Sequence, residues 1–377
     1  MVTHVLALNA YHGGSHRAFL EGWSRHSRHR FTKLSLPPHK WKWRMRHAAV
    51  TFAEQVGHLG TDSSGHDVLF CTDMLNLAEF RGLCPPEIRP LPTVVYFHEN
   101  QLTYPTRHED QRDLHFAFTN MTTALAADRV WFNSAFHRDE FLAALAELLG
   151  RMPDFQPTGA VAAIRQKSAV HPPGVESFPA RGPRPPGPLR ILWVSRWEHD
   201  KNPQAFFDAL DVLLRRGGDF RVSVLGESFD QVPDCFEQAR RRLTDRVDHW
   251  GFLPDRDDYH AALAAADVVV STADHEFFGI GVLEAVAAGC FPLAPKRLAY
   301  PEVLSNRAEF LYDGSVAGLA ERLLELAGRI QNGRWPPDNS ALQVVAEPYL
   351  WKTVTPQMDE AILELADPSR SRLPSGT

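Results

Sequence analysis

Seven prolines and three glycines fall within the twenty residues from His171 to Arg190, HPPGVESFPARGPRPPGPLR. Proline fixes its own backbone torsion and removes a donor, so neither a helix nor an interior strand runs through such a stretch. It divides the chain, and on either side of it short apolar runs alternate with helical patterns. That alternation folds as a parallel sheet covered by helices, an α/β class. At 377 residues the chain exceeds one ordinary core, and two domains of roughly 150 to 200 residues each are expected. The expected boundaries are a first domain over 1–178, a stiff linker over 179–190, a second domain over 191–347, an amphipathic C-terminal helix over 348–366 and a disordered tail over 367–377.

The first half opens with HVLALN, a strand ending at Asn9, followed by AYHGGSHRAFLEGW. A strand feeding a Gly-Gly turn into an amphipathic helix is the first βα unit of a Rossmann-like domain, with Ser15 as the expected helix cap. Gly13 and Gly14 allow close backbone approach to a phosphate, but the full dinucleotide fingerprint is missing, so a plain helix-start turn is the competing reading. After strand FTKLSL, the run HKWKWRMR interleaves Lys40, Lys42, Arg44 and Arg46 with Trp41 and Trp43. Cations neutralise phosphates and flat rings stack on bases, which is what a nucleic-acid contact needs; the alternative is that both indoles anchor the following helix. DVLFCTD reads as a third strand. Strand Thr93 to Phe97 ends on His98, Glu99 and Asn100, and strand DRVWFNS ends on Asn133 and Ser134. Polar groups at the carboxyl end of a parallel strand point into a ligand crevice.

The pattern restarts with LRILWVSRWEHDKNP, where Arg196 and Lys201 precede a helix that begins near Pro203. Two cations beside helix N–H groups suit a diphosphate; a pair of surface ion pairs is the alternative. The stretch Ser271 to Pro292, STADHEFFGIGVLEAVAAGCFP, is strand end, glycine-bearing turn and helix. It carries Glu276 in the turn and Glu284 about one helical turn in, with seven residues including Gly279 and Gly281 between them. Both carboxylates can reach one ligand from different heights, or they are a loop carboxylate and a buried helix glutamate. The acidic run Asp255 to Asp258 reads as a helix cap rather than a metal site.

Net charge is −6, but it is unevenly spread: residues 1–60 carry nine Lys or Arg against two Asp or Glu, and residues 191–377 carry 19 against 29. A basic first segment suits a polyanionic partner or a membrane surface. Cys71, Cys84, Cys235 and Cys290 are scattered with no metal-ligand spacing and read as reduced thiols. No apolar run approaches the ~20 residues that span a bilayer, and a cytoplasmic location is expected.

The Gly-Gly loop, His98 after a strand, Arg196 with Lys201, and Glu276 with Glu284 together resemble the retaining glycosyltransferases of the GT-B fold, family 4. Within that family NAYHGGSH, LPPHKWKWR, YFHENQLTYP, WFNSAFHRDEF, RWEHDKNP, LGESFDQVPDCF, HWGFLP and STADHEFFG resemble the tRNA-queuosine alpha-mannosyltransferases, over residues 2 to about 352. Tyr300 departs from the broad family, where glycine is common before the PEVL turn. The resemblance implies two Rossmann-like domains facing each other across an interdomain crevice, with GDP-mannose as donor and a hydroxyl of the queuosine base in a tRNA anticodon as acceptor. It implies that Arg196 and Lys201 stabilise the departing diphosphate, that Glu276 and His98 contact the sugar, and that Glu284 takes the ribose hydroxyls. Other donor contacts follow at Gly13, Gly14, Ser195, Gly226, Glu227, Phe252, Leu253, Phe278, Gly279 and Ile280. The acceptor contacts implied are His12, Lys40, Trp41, Trp43, Arg44, Glu99, Asn100, Tyr104 and Asn133. No cofactor or metal is expected, and no stable membrane association.

Three other readings compete: a GT-B glycosyltransferase acting on a lipid or other small acceptor at a membrane surface, a silent RNA-binding protein, and a sugar-nucleotide epimerase. The first expects label from a sugar nucleotide in lipid, the second tRNA binding without turnover, and the third neither an acceptor nor a basic face.

Overall fold

Apolar runs bounded by polar residues form the first sheet: β1 His4–Asn9, β2 Arg30–Ser35, β3 Val68–Thr72, β4 Thr93–Phe97, β5 Arg129–Phe132 and β6 Ser168–Val170. In this computed structural model the described residues are 1–59, 65–105, 113–179, 181–228, 232–335 and 339–367, so the expected tail beyond 367 lies outside them. The six strands are parallel and ordered β2-β1-β3-β4-β5-β6. Helices α1 Gly14–His26, α2 Trp41–Gly57, α3 Leu77–Leu83, α4 Leu114–Ala126, α5 Ala135–Gly150 and α6 Gly159–Gln166 connect them. β3 and β4 are buried along their whole length, as strands covered on both faces must be.

The second sheet comprises β7 Leu189–Val194, β8 Phe220–Leu225, β9 Val247–Gly251, β10 Val268–Val270, β11 Phe291–Pro295 and β12 Leu311–Tyr312, again all parallel, ordered β12-β11-β10-β7-β8-β9. Its main helices are α7 Pro203–Arg215, α8 Cys235–Arg242, α9 Arg256–Ala265 and α10 Ile280–Ala287, followed by α11 Tyr300–Val303, α12 Val316–Gln331 and α13 Asn339–Ala346. In each sheet the strand order reverses once, between β1 and β3 and between β7 and β10, and ligands of such sheets bind beyond the carboxyl ends of the strands at that reversal.

The chain divides into two compact units, Met1–Gly174 together with the helix that begins at Trp351, and Val175–Leu350. The proline-rich segment is pinned to the second unit. Asp267, fully buried just before β10, accepts from Arg184 Nε at 2.9 Å and Nη2 at 2.8 Å and pairs with Arg181 Nη2 at 3.3 Å.

The C-terminal helix, α14 Trp351–Ala366, was expected as a segment of its own and instead completes the first unit. Trp351, Val354, Met358, Ile362 and Leu365 join Val5, Phe19, Trp23 and Tyr96 in one core. Each such buried side chain contributes about 1.5–3 kcal/mol. Asp359 accepts from Trp23 Nε1 at 3.0 Å, Ser27 Oγ at 2.7 Å and the Arg28 backbone N–H at 2.9 Å. A Cβ at Gly22 or Gly174 would overlap the Trp351 indole, which explains both glycines.

Candidate active site

In the second unit the loops after β7 and β10 are stitched together at the strand-order reversal. Asn202, in the left-handed region at φ 46°, accepts from the Ala205 N–H at 3.2 Å and starts α7. Thr272 Oγ1 donates to the Lys201 carbonyl at 2.9 Å, and the Asp274 and His275 N–H groups donate to the Asp200 carbonyl at 2.9 and 3.2 Å. This brings Lys201 to the first of the paired glutamates. Lys201 Nζ donates to the His275 carbonyl at 2.8 Å and pairs with Asp200 Oδ2 at 3.0 Å and Glu276 Oε2 at 3.3 Å. Burial of the ammonium opposes its charge, but Glu276 and Asp200 outweigh it and hold the lysine above its ordinary pKa. The cation is therefore permanent at physiological pH. His275 is 7% exposed and goes the other way: burial, then the Lys201 charge, pushes it down to about 4. Arg196, on the same loop, is exposed and pairs with Glu198 at 3.2 Å.

The other donor-side candidates line the same sheet edge. The Gly226 N–H donates to the Gly251 carbonyl at 3.2 Å, which draws Gly226 and Glu227 next to Phe252 and Leu253. A Cβ at Gly226 would overlap the Ser195 carbonyl, so glycine is required there. Phe252 is 62% exposed, whereas Phe278 is buried with its ring centroid 5.6 Å from that of Tyr349. Gly279 has φ 87° and starts α10, whose first residue is Ile280, and a Cβ on it would lie 2.8 Å from Tyr300 Cε1. Tyr300 is itself buried, with its hydroxyl 2.6 Å from Ser271 Oγ. Its ring thus supports the turn that carries Glu276. Glu284, in α10, accepts from the Tyr259 hydroxyl at 2.8 Å. Burial raises the Glu284 pKa, and the Tyr259 hydrogen bond opposes that rise.

In the first unit the carboxyl ends of β1, β3, β4 and β5 gather a buried polar cluster around His98. Its backbone N–H donates to Asp73 Oδ1 at 3.0 Å, and its carbonyl accepts from Asn133 Nδ2 at 2.9 Å. Asn133 Oδ1 lies 2.9 Å from His137 Nδ1, and the His16 ring centroid is 4.0 Å from that of His98. Burial, then the neighbouring imidazoles of His16 and His137, pushes His98 well below the usual histidine pKa, so it is neutral. Burial, then the Glu99 charge, raises Asp73 well above the carboxylate range. His12 bridges Asn9 Nδ2 at 3.0 Å and Glu21 Oε1 at 3.2 Å.

Several predicted acceptor contacts turn out to be committed within the fold. Asn100 is fully buried and its Oδ1 accepts from the Leu102 and Thr103 N–H groups at 3.0 and 2.9 Å, holding the turn that contains Tyr104, while Glu99 accepts from Gln101 Nε2 at 2.9 Å. Arg44, read as a phosphate ligand, is 8% exposed; it donates through Nε to the Pro37 carbonyl at 2.9 Å and through Nη1 to His47 Nε2 at 2.8 Å. Trp41 packs on Phe116 at 5.2 Å and against the core, the anchoring role that its spacing left open. Trp43 is 61% exposed over His47, and Lys40 and Lys42 are exposed beside it. The exposed members of this basic run are thus Lys40, Lys42, Trp43 and Arg46, the last paired with Asp113 at 3.1 Å, with Trp41 and Arg44 packed behind them. Gly13 lies against Pro38 with no room for a Cβ, and Gly14 has φ 48°. The cap of α1 is Gly13, without a side-chain hydrogen bond, so Ser15 falls inside the helix rather than at its cap.

The sequence did not single out His16, Asp73, His137, Asp200, Tyr259 or His275, nor Tyr300 as a support. Asp73 follows β3 as His98 follows β4, so the strand-end rule that promoted His98 applied equally to it. Tyr259 reaches Glu284 from another helix, and nothing in its local pattern signals that contact.

Two Rossmann-like sheets, with a buried lysine and paired glutamates at the reversal of the second, define a glycosyltransferase of the GT-B type. Solved structures of that fold agree: sucrose-phosphate synthase from Thermosynechococcus elongatus has a TM-score of 0.69 at 15% identity over 97% of this chain and 99% of that one. HepE of Anabaena in complex with UDP has a TM-score of 0.67 at 16% identity, covering 97% of this chain and all of that one. Residues 188–329 match the family described as glycosyl transferases group 1, and residues 4–175 that described as tRNA-queuosine alpha-mannosyltransferase N-terminal. The tRNA-queuosine alpha-mannosyltransferase of Drosophila melanogaster is 38% identical over 329 residues, 83% of this chain and 84% of its own. The chain belongs to the tRNA-queuosine alpha-mannosyltransferase family. A more distant relative is the GDP-mannose-dependent alpha-(1-6)-phosphatidylinositol dimannoside mannosyltransferase of Mycobacterium tuberculosis, 25% identical over 58% of this chain and 54% of its own. Among the described residues no helix is long and apolar enough to cross a membrane.

Proposed function

We propose that this chain transfers mannose from GDP-mannose to queuosine in tRNA with retention of anomeric configuration. The observation that carries the reading is the likeness to the Drosophila enzyme across most of both chains, its acceptor-side half included.

The roles on the donor side follow from charge. Breaking the bond from sugar to diphosphate leaves anionic charge on the phosphate, and a preorganised cation there contributes several kcal/mol. Lys201, fixed and always charged, and Arg196, on the same loop, neutralise it. Glu276, oriented by Lys201, holds hydroxyls of the transferred sugar. Glu284 takes the ribose hydroxyls. Phe252 and Leu253 cover the guanine face, and the Glu227 carboxylate suits the donor edge of guanine. The departing phosphate accepts the proton of the attacking hydroxyl on the same face, so the reaction uses no separate protein base. The charge on the diphosphate is carried by protein cations, and no metal is assigned.

On the acceptor side, Lys40, Lys42 and the exposed Trp43 supply phosphate contacts and a stacking surface for the anticodon loop, while Asn133, with both polar atoms engaged by His98 and His137, holds the neutral His98 in place. A base modified at its own ring has to leave its stack to be reached. We place the reaction in the cytoplasm, where tRNA is the substrate, without stable membrane attachment.

Incubation with labelled GDP-mannose and, in separate arms, total tRNA and a lipid extract tests the reading. Label in tRNA alone is expected. Label in lipid and never in tRNA would establish the lipid acceptor named for the Mycobacterium relative and reject the proposal.

A further inference from the structure

The second glutamate of the pair has one oxygen taken and one open. Tyr259, in α9, donates its hydroxyl to Glu284 Oε2 at 2.8 Å, and among the described residues no protein donor occupies Glu284 Oε1. Tyr259 is half-buried, and burial, then the Glu284 charge, raises its pKa well above the usual tyrosine value, so at physiological pH it is always the donor. The charged groups near the carboxylate are Arg256 on the same helix as Tyr259 and Glu176 at the start of the unit, which pair at 3.5 Å. Without its tyrosine, the carboxylate keeps burial and the Glu176 charge against its ionised form, with Arg256 acting the other way, and the neutral form presents a donor on one oxygen rather than two acceptors.

We infer that Tyr259 is a positioning residue for nucleotide recognition: by occupying Glu284 Oε2 it fixes the carboxylate and directs Oε1 to a ribose hydroxyl of the donor. The inference rests on the assignment of Glu284 to the ribose. It adds a specificity-determining group on a helix outside the donor loops, and it predicts that discrimination between ribose and deoxyribose depends on a side chain that touches neither.

The test compares binding of GDP and 2′-deoxy-GDP to the wild type and to Tyr259→Phe by calorimetry, with folding checked by thermal melting. A hydrogen bond to a charged group corresponds to about tenfold to a hundredfold in affinity, and the wild type is expected to prefer GDP by that margin. In Tyr259→Phe the preference should shrink to about threefold or less, with affinity for 2′-deoxy-GDP nearly unchanged, and the acid limb of kcat/KM for GDP-mannose should move to higher pH because Glu284 protonates more readily. Tyr259→Phe retaining the full wild-type preference would overturn the inference while leaving the ribose assignment intact. A wild type with no preference would overturn the ribose assignment itself, and the inference with it. Equal loss of both ligands would show that the residue only supports the fold. Should Tyr259→Phe not fold, Glu284→Gln with the same two ligands decides: the inference requires that it lose the preference for GDP, and retention of that preference overturns it.

Discussion

Lys201 holds Glu276 in place: its Nζ lies 3.3 Å from Glu276 Oε2, with the lysine side chain 8% and the carboxylate 23% exposed. Asp200 completes the arrangement at 3.0 Å. Replacing Lys201 by Met should therefore do two things. Turnover should fall by about a hundredfold to a thousandfold, because the leaving-group charge loses its fixed cation. Stability should fall by about 3 kcal/mol, because two carboxylates are left facing each other without their partner. Single-turnover kinetics and denaturant unfolding measure the two separately.

Glu276→Ala removes the other side of that pair but no RNA contact. Transfer should be lost, while affinity for tRNA stays within about twofold, as for a surface the substitution does not touch. Filter binding alongside the transfer assay checks this, and equal loss of both would mark Glu276 as a structural residue.

His275 sets an acid limit. Its pKa is ordinarily 6.5 and falls to about 4 in the fold, so between those values the unfolded chain binds a proton that the folded chain refuses. Stability from this group is complete above pH 6.5 and is lost as the pH falls towards 4, by about 3 kcal/mol in all. His275→Gln should flatten the dependence of unfolding free energy on pH in that window and leave it unchanged at pH 8.

Trp43 and Trp41 should separate cleanly. Trp43→Ala, at a 61% exposed ring, should weaken tRNA binding by about 1–3 kcal/mol with little change in melting temperature. Trp41→Ala should cost about 2 kcal/mol of stability, since its ring packs on Phe116 and the core. Lys42→Ala should reduce the salt slope of tRNA binding by about one ion.

The contrast between these two tryptophans shows where sequence reading ends. Strands such as Thr93 to Phe97 and the turn at Gly279 were legible because periodicity and glycine conformation are local properties. The proline-rich segment announced two units for the same reason. Trp41 and Trp43 have the same local pattern, and only the packing of α2 against Phe116 decides which one faces solvent. Arg44 was read as a phosphate ligand, and the pattern gave no sign that its guanidinium donates to the Pro37 carbonyl and to His47. The C-terminal helix read correctly as a helix, but its partners Trp23 and Arg28 are some 330 residues away in sequence. The separations in the donor site are equally hard to read, Lys201 to Glu276 and Tyr259 to Glu284, and there only the family pattern brought the first pair together in advance.

A mannose placed on one base of one class of RNA is the central claim, and mass analysis of nucleosides tests it most directly. Queuosine-containing tRNA is treated with the enzyme and each of a panel of nucleotide sugars, digested and examined for hexose-modified nucleosides. The expected result is a single hexose on queuosine, from GDP-mannose alone, and none on tRNA lacking queuosine. Hexose on another nucleoside, or transfer from a different nucleotide sugar in place of GDP-mannose, would contradict it.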